Sequence, residues 1–225
     1  MLETGIRLLV SIAIINYNNA SFIERAIRSC QNQFRATHNL EIIVVDDAST
    51  DQSSDIIHQF KDSVRLFCNS SNKGAGFSSQ CALKNANGKY FMRVDSDDFL
   101  SQYATGVFTN YLEENTQVDF VFGNLQKVDS FGRKLDVVDM SNIDNLIDHG
   151  AGILFRTATL QEIGGYNPEL RHGEDIDLML RLMKSKALWQ HLPLNYYRYY
   201  QHGMNKSISE SHQEAREKLR RKYEF

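Results

Sequence analysis

Residues 90–98 read Tyr-Phe-Met-Arg-Val-Asp-Ser-Asp-Asp, a short apolar run that ends in Asp95, Asp97 and Asp98 with only Ser96 among them. A second apolar run, residues 41–45, ends the same way in Asp46 and Asp47. Carboxylates grouped this closely repel one another, so a positive partner is expected between them. Hard cations such as Mg²⁺ and Mn²⁺ take oxygen ligands while keeping positions open for phosphate. In an open α/β sheet, ligands bind at the carboxyl ends of the strands. One acidic run of this kind, taken alone, reads better as a helix N-cap, because Asp and Ser satisfy the free N–H groups of a first turn. Capping, however, needs one acceptor and not a cluster, and this chain has two clusters.

The elements that must carry these residues alternate. Apolar strand-like runs at 8–16, 41–46, 64–68 and 89–94 are separated by helix-like segments at 21–34, 51–60 and 76–87. Such alternation predicts a parallel sheet covered by helices. Val10 to Ile15 and Ile42 to Val45 are apolar without clean alternation, as expected of strands buried on both faces. Ser21 with Glu24, and Ser49 with Gln52, have the spacing of capping boxes. Beyond residue 100 the pattern changes to a helix near 101–115 and strands near 118–127 and 134–138 joined by a turn at 129–132, a mixed α+β second half. Ile176, Met179, Leu180 and Met183 have helical spacing and should face the core. Residues 208–225 read as a charged helix, solvated or in contact with a second copy.

Composition narrows the function classes. At 225 residues with a formal charge of −3, the chain can bury a sizeable core but carries no basic field. The one basic cluster is Lys218, Arg220, Arg221 and Lys222, so nucleic acid is not expected as a partner. That cluster would allow peripheral contact with an anionic membrane. Cys30, Cys68 and Cys81 lack metal-type spacing and read as buried apolar residues of a reducing compartment. No apolar run approaches the ~20 residues of a bilayer span, and residues 1–5 lack a signal-peptide pattern. A cytoplasmic protein, working at most at the inner face of a membrane, is expected.

Several further segments fall in a recognisable order: Ser11 to Asn18; Val45-Asp46-Asp47-Ala48-Ser49-Thr50-Asp51; Asn72-Lys73-Gly74-Ala75-Gly76; Arg93 to Asp98; Gly150 to Arg156; Gly164-Gly165-Tyr166-Asn167; Arg171 to Leu182; and Asn195 to Ser207. Together they resemble family 2 glycosyltransferases, inverting enzymes of the GT-A fold that use nucleotide-activated sugars. The resemblance spans residues 8 to about 207. It implies an α/β, Rossmann-like single domain over 1–207 with a mostly parallel central sheet, in which 1–100 bind the nucleotide sugar and 101–207 form the acceptor half.

The resemblance also implies roles. Tyr17 would lie against the base, and Asp47, with Asp46 close behind, would accept hydrogen bonds from base or ribose, work that suits an acceptor-only carboxylate. Asn72 belongs to the same nucleotide-binding set. Asp95 would serve ribose or metal and Asp97 would bind Mn²⁺ or Mg²⁺, with His202 completing the metal or diphosphate site. Many relatives carry Arg-Asn where this chain has Ser79-Gln80, so Arg93 stands in as a diphosphate contact, joined by Arg198 and Lys206. Of the Glu174-Asp175 pair, the second acid is the family's usual base, which here is Asp175. The Gln-x-x-Arg-Trp signature of processive synthases is absent and the one tryptophan is Trp189. Transfer of a single sugar is therefore expected, with UDP the commonest carrier, to a hydroxyl of a surface glycan or a lipid-linked saccharide.

Two rivals remain. A sugar-1-phosphate nucleotidyltransferase would carry a Gly-rich basic loop after the first strand, where this chain has Asn16-Tyr17-Asn18-Asn19-Ala20. A non-catalytic nucleotide-sugar or glycan-binding module would be expected to lose the acidic pair or the base, and this chain keeps both.

Overall fold

A computed structural model describes residues 8–34, 38–202 and 210–224. The first half runs β1 (Leu8–Asn16), α1 (Ile23–Gln31), β2 (His38–Asp46), α2 (Ser53–His58), β3 (Arg65–Cys68), α3 (Ala75–Asn85) and β4 (Tyr90–Asp95). The second half runs β5 (Phe99–Leu100), α4 (Ala104–Glu114), β6 (Phe120–Phe122), β7 (Leu125–Val128), β8 (Lys134–Val138), α5 (Ile143–Ile147), β9 (Leu154–Arg156) and α6 (Thr157–Glu162). It closes with α7 (Glu174–Lys184), β10 (Trp189–His191), β11 (Tyr197–Tyr200) and α8 (Glu210–Tyr223).

Seven strands form one sheet in the order β10-β6-β9-β4-β1-β2-β3, in which β9 runs antiparallel to β4 and β6 and the other pairings are parallel. The parallel pairing of β1 with β2 and β4 is the arrangement that the alternation predicts. Val10, Ile12, Ala13 and Ile14 on β1 and Ile43, Val44 and Val45 on β2 are wholly buried, because α1 and α3 pack against both strands. In α1 the buried Ile23, Ala26, Ile27 and Cys30 recur at helical spacing, which fixes the face turned to the sheet. The register sets Asn16 beside Asp46 and Ile15 beside Asp95, so three strand ends meet at one edge.

Several local expectations are corrected. Residues 118–127 are two strands in different sheets: β6 joins the large sheet, and β7 joins a small one of order β5-β11-β7-β8. Neither capping box forms. Glu24 pairs with Arg28 at 2.8 Å, and α1 starts at Ile23 without a side-chain cap. Ser49 is occupied by Asp46, and the first turn of α2 is served by Asp51, which accepts from the Ser53 N–H at 2.9 Å. Of the cysteines, Cys30 is buried, Cys81 half-buried and Cys68 exposed at the end of β3, an edge strand. Ile176, Met179 and Leu180 are buried in the core as expected, with Met183 half-buried against it.

Candidate active site

A cavity of about 470 Å³ opens over the carboxyl ends of β1, β2 and β4, and β11 and the start of α7 close its far side. Tyr17, Asp47, Arg93, Asp95, Asp97, Asp175 and His202 all line it. Asp46, Asn72 and Arg198 do not.

On the β1–β2 side the two adjacent aspartates have different work. Asp46 is buried and accepts from Asn16 Nδ2 at 2.7 Å, Ser49 Oγ at 2.6 Å and the Ser49 N–H at 3.1 Å. Asn18 in turn accepts from the Thr50 N–H at 2.7 Å, so the Asp46 cluster fixes the loop that presents Tyr17. Asp47 accepts from Asn69 Nδ2 (2.7 Å) and from the N–H groups of Lys73 (2.9 Å) and Gly74 (2.8 Å). A carboxylate offers about four acceptor positions, so one remains to face the cavity. Asn72, outside the lining, accepts from Arg171 through its backbone carbonyl (Nη2, 2.9 Å) and its side-chain Oδ1 (Nη1, 3.4 Å).

The acidic run after β4 also divides. Asp98 points inward, accepting from Tyr197 Oη at 2.7 Å and from the Tyr200 N–H at 2.8 Å, and so ties this turn to β11. Burial, then the charges of Asp97 and Asp95, pushes its carboxyl well above the usual range. Asp95 and Asp97 face the cavity, and Asp97 Oδ2 lies 3.0 Å from His202 Nε2. The His202 ring packs against both Phe22 and Tyr200, with centroids 5.5 and 5.0 Å away, and those two rings touch each other at 5.1 Å. Arg198, on the opposite face of β11 from Tyr197 and Tyr199, donates to Gln126 Oε1 (2.6 Å) and the Asn195 carbonyl (2.7 Å). Lys206 lies outside the described residues.

Among the described residues no group of three or more His, Cys, Asp or Glu side chains could hold a metal ion by itself. The donor chemistry nevertheless fits a cation shared with substrate. Asp97 and His202 offer an oxygen and a nitrogen side by side, and Asp95 stands near. Mg²⁺ is commonly held by one or two carboxylates with phosphate oxygens supplying the rest.

Between these aspartates and α7 lies Arg93, 2 % exposed. It shares a face of β4 with Asp95, two residues on, which aims its guanidinium at the cavity. Nη1 donates to Asp175 Oδ1 and to Glu174 Oε1 (3.0 Å), and Nη2 donates to Asp175 Oδ2 (2.7 Å) and lies 3.2 Å from Asp95 Oδ1. Burial opposes this charge, but Asp175, Asp95 and Glu174 outweigh it and hold the guanidinium well above its ordinary pKa. In this arrangement Arg93 serves the acids of the site rather than an open phosphate position. Burial and the neighbouring Asp175 charge push Glu174 up to about 7. Asp175 is further fixed by Gly150, where a Cβ would stand 2.7 Å from the Asp175 Cγ. Any side chain at 150 would displace the carboxyl.

Sequence reasoning passed over Arg171, His149, His172 and Tyr199, which also line the cavity. Arg171 and His172 precede the Glu174-Asp175 pair with only Gly173 between, and His149 precedes Gly150. That adjacency was the available signal.

A sequence profile described as "Glycosyl transferase family 2" matches residues 11–163. The chain is 34 % identical over 164 residues to the poly(ribitol-phosphate) beta-glucosyltransferase of Bacillus spizizenii, a match covering 68 % of this chain and 26 % of that protein. It is 40 % identical over 120 residues to the UDP-Glc:alpha-D-GlcNAc-diphosphoundecaprenol beta-1,3-glucosyltransferase of Escherichia coli, covering 52 % and 45 %. Both matches span only part of those longer relatives. The crystal structure of S. aureus TarS 1-349 in complex with UDP-GlcNAc superposes with a TM-score of 0.77 at 22 % identity, over 94 % of this chain and 65 % of that one.

Proposed function

This chain belongs to glycosyl transferase family 2 and has the GT-A fold, and from that premise we propose that it is a cation-dependent, inverting enzyme that moves one sugar from a UDP-sugar to a hydroxyl of a glycan or lipid-linked saccharide. The observation that carries the reading is that Asp175, Asp95 and Asp97 line one cavity, with Arg93 Nη2 in contact with both Asp175 and Asp95. The partly matched relatives support the acceptor class, since one is named for poly(ribitol phosphate) and the other for a diphosphoundecaprenol-linked sugar. Residues 1–100 hold the nucleoside, 101–207 receive the acceptor and contribute His202 and Arg171 to the diphosphate side, and the reaction takes place on the cytoplasmic side, where the chain meets such acceptors.

Tyr17 stacks on the base, and Asp47 uses its remaining acceptor position for a base N–H or a ribose hydroxyl. Asp97 and His202, with Asp95, would hold Mn²⁺ or Mg²⁺. A cation held there would supply positive charge against the departing diphosphate. Arg171 lies where it can face the same phosphates. Asp46 and Asp98 shape the site without touching substrate.

Asp175 is the general base. Each of its oxygens accepts one bond from Arg93 and keeps a lone pair for the acceptor O–H. The acceptor oxygen attacks the anomeric carbon as its proton passes to Asp175. The bond from that carbon to the diphosphate breaks on the opposite face, and its electron pair leaves with UDP. Burial and the Asp175 charge favour the protonated form of Glu174, which limits the negative charge around the base.

Melting temperature with UDP, GDP and dTDP, each with and without Mn²⁺, tests the donor site. UDP with Mn²⁺ is expected to stabilise the protein by about 2.7 kcal/mol at a hundredfold excess over its Kd, a shift of several degrees for a chain of this size. The shift should vanish without Mn²⁺ and in Asp97→Ala. No shift with any nucleotide would leave the chain without a competent donor site.

A further inference from the structure

The C-terminal helix α8, which its sequence presents as a solvated or oligomer-contacting appendage, packs instead on the elements that carry Asp175. Leu219 is 5 % exposed. Its Cδ1 would lie 2.9 Å from a Cβ built on Gly173, with Ala215 Cβ 3.4 Å away. Gly173 caps α7 in a left-handed conformation (φ 74°), so both its backbone and its missing side chain suit this seat, one residue before Glu174. On the other side Arg216 donates from Nε to Asp148 Oδ1 at 2.9 Å and reaches Oδ2 from Nη2 at 2.7 Å. Arg220 donates to Asp144 Oδ1 at 2.7 Å. Asp148 lines the cavity and stands two residues before Gly150, the residue in contact with Asp175. Farther along α7, the Tyr223 hydroxyl donates to the buried Asp177 at 2.8 Å.

We infer that α8 is a positioning element for the base: Leu219 holds the start of α7, and Arg216 and Arg220 hold α5 through Asp148 at its end and Asp144 in its first turn, so that the chain leading to Gly150 and the start of α7 fix the Asp175 carboxyl between them. The inference rests on the assignment of Asp175 as the base. No α8 side chain named here lines the cavity, so the helix acts through the geometry of Asp175 and not on the donor. Partly exposed ion pairs are individually weak, which leaves Leu219 as the principal anchor.

The test follows release of nucleoside diphosphate from UDP-glucose, UDP-GlcNAc and GDP-mannose with Mn²⁺ and water as acceptor, alongside the affinity for UDP with Mn²⁺. Leu219→Asp is expected to lower kcat by about 10- to 100-fold, the scale of a misplaced catalytic group. Donor KM and UDP affinity should stay within about twofold. Should Leu219→Asp fail to fold, the Arg216→Gln, Arg220→Gln double variant must lower kcat in the same direction by less. The Arg216→Lys, Arg220→Lys pair should restore much of that loss, and Arg221→Gln should leave kcat unchanged. Wild-type kcat in the folded variants would overturn the inference, as would equal losses of kcat and UDP affinity. A wild-type protein that releases no nucleoside diphosphate from any of the three donors would instead overturn the glycosyltransfer reading, and the inference with it.

Discussion

Asp175→Asn is expected to reduce sugar transfer by about 10²- to 10⁴-fold, the usual contribution of a positioned general base, while UDP still binds with Mn²⁺. Asn has nearly the same shape, so the contact with Gly150 survives, and its carbonyl oxygen still accepts one bond from Arg93. Its amide cannot take a proton from an acceptor hydroxyl. It also presents N–H to an Arg93 nitrogen, so one arm of the bidentate pair is lost and a modest drop in stability accompanies the variant. Steady-state release of UDP, measured beside UDP affinity, separates the two effects. Turnover near the wild-type level would pass the role of base to Glu174, the neighbouring carboxyl whose pKa of about 7 already suits proton exchange.

Arg93→Met is expected to destabilise the fold by about 3–5 kcal/mol, the scale seen when one partner of a buried ion pair is removed. The substitution nearly preserves volume but leaves Asp175, Glu174 and Asp95 without the cation that three of its contacts supply. The loss should depend on pH in a defined direction. Glu174 is already raised to about 7 by burial and by Asp175. A carboxyl raised in the folded state contributes stability that is complete below its unfolded pKa and disappears as pH climbs through the folded one. Without Arg93, which pulls the Glu174 pKa down, that rise becomes larger. The deficit of Arg93→Met in urea unfolding should therefore be greater at pH 8 than at pH 5. An equal deficit at both values would mean that packing, and not charge, is what Arg93 provides.

Much of this site is legible in the chain because strand ends are legible. The unbroken apolar runs in β1 and β2 announce buried parallel strands, and such strands place whatever follows them, Asp47 and Asp95 here, at one edge of the sheet. What sequence cannot show is which of two adjacent acids turns inward. Asp46 and Asp47 are the same residue one position apart, yet the first is consumed by Asn16 and Ser49 and the second faces the cavity. Asp98 also borders the cavity, but unlike Asp97 its two oxygens are taken by Tyr197 and Tyr200, about a hundred residues away. Arg198 is lost to Gln126 by the alternation of a strand that was read as a strand and loop without assigned faces. The second capping box fails for a related reason, since Ser49 has a better partner in Asp46, while the first fails because Glu24 pairs with Arg28 one turn on. The docking of α8 depends on Asp144, Asp148 and Gly173, contacts set by tertiary structure that helical periodicity alone does not reveal.

The central claim is a single displacement at the anomeric carbon with Asp175 receiving the proton, and stereochemistry tests it most directly. Proton NMR during turnover of a UDP-sugar with an α-linked donor, read before the released or transferred sugar can equilibrate, should show the β anomer as the first product. The α anomer as the first product would mean retention, and a single attack assisted by one base at Asp175 would be contradicted.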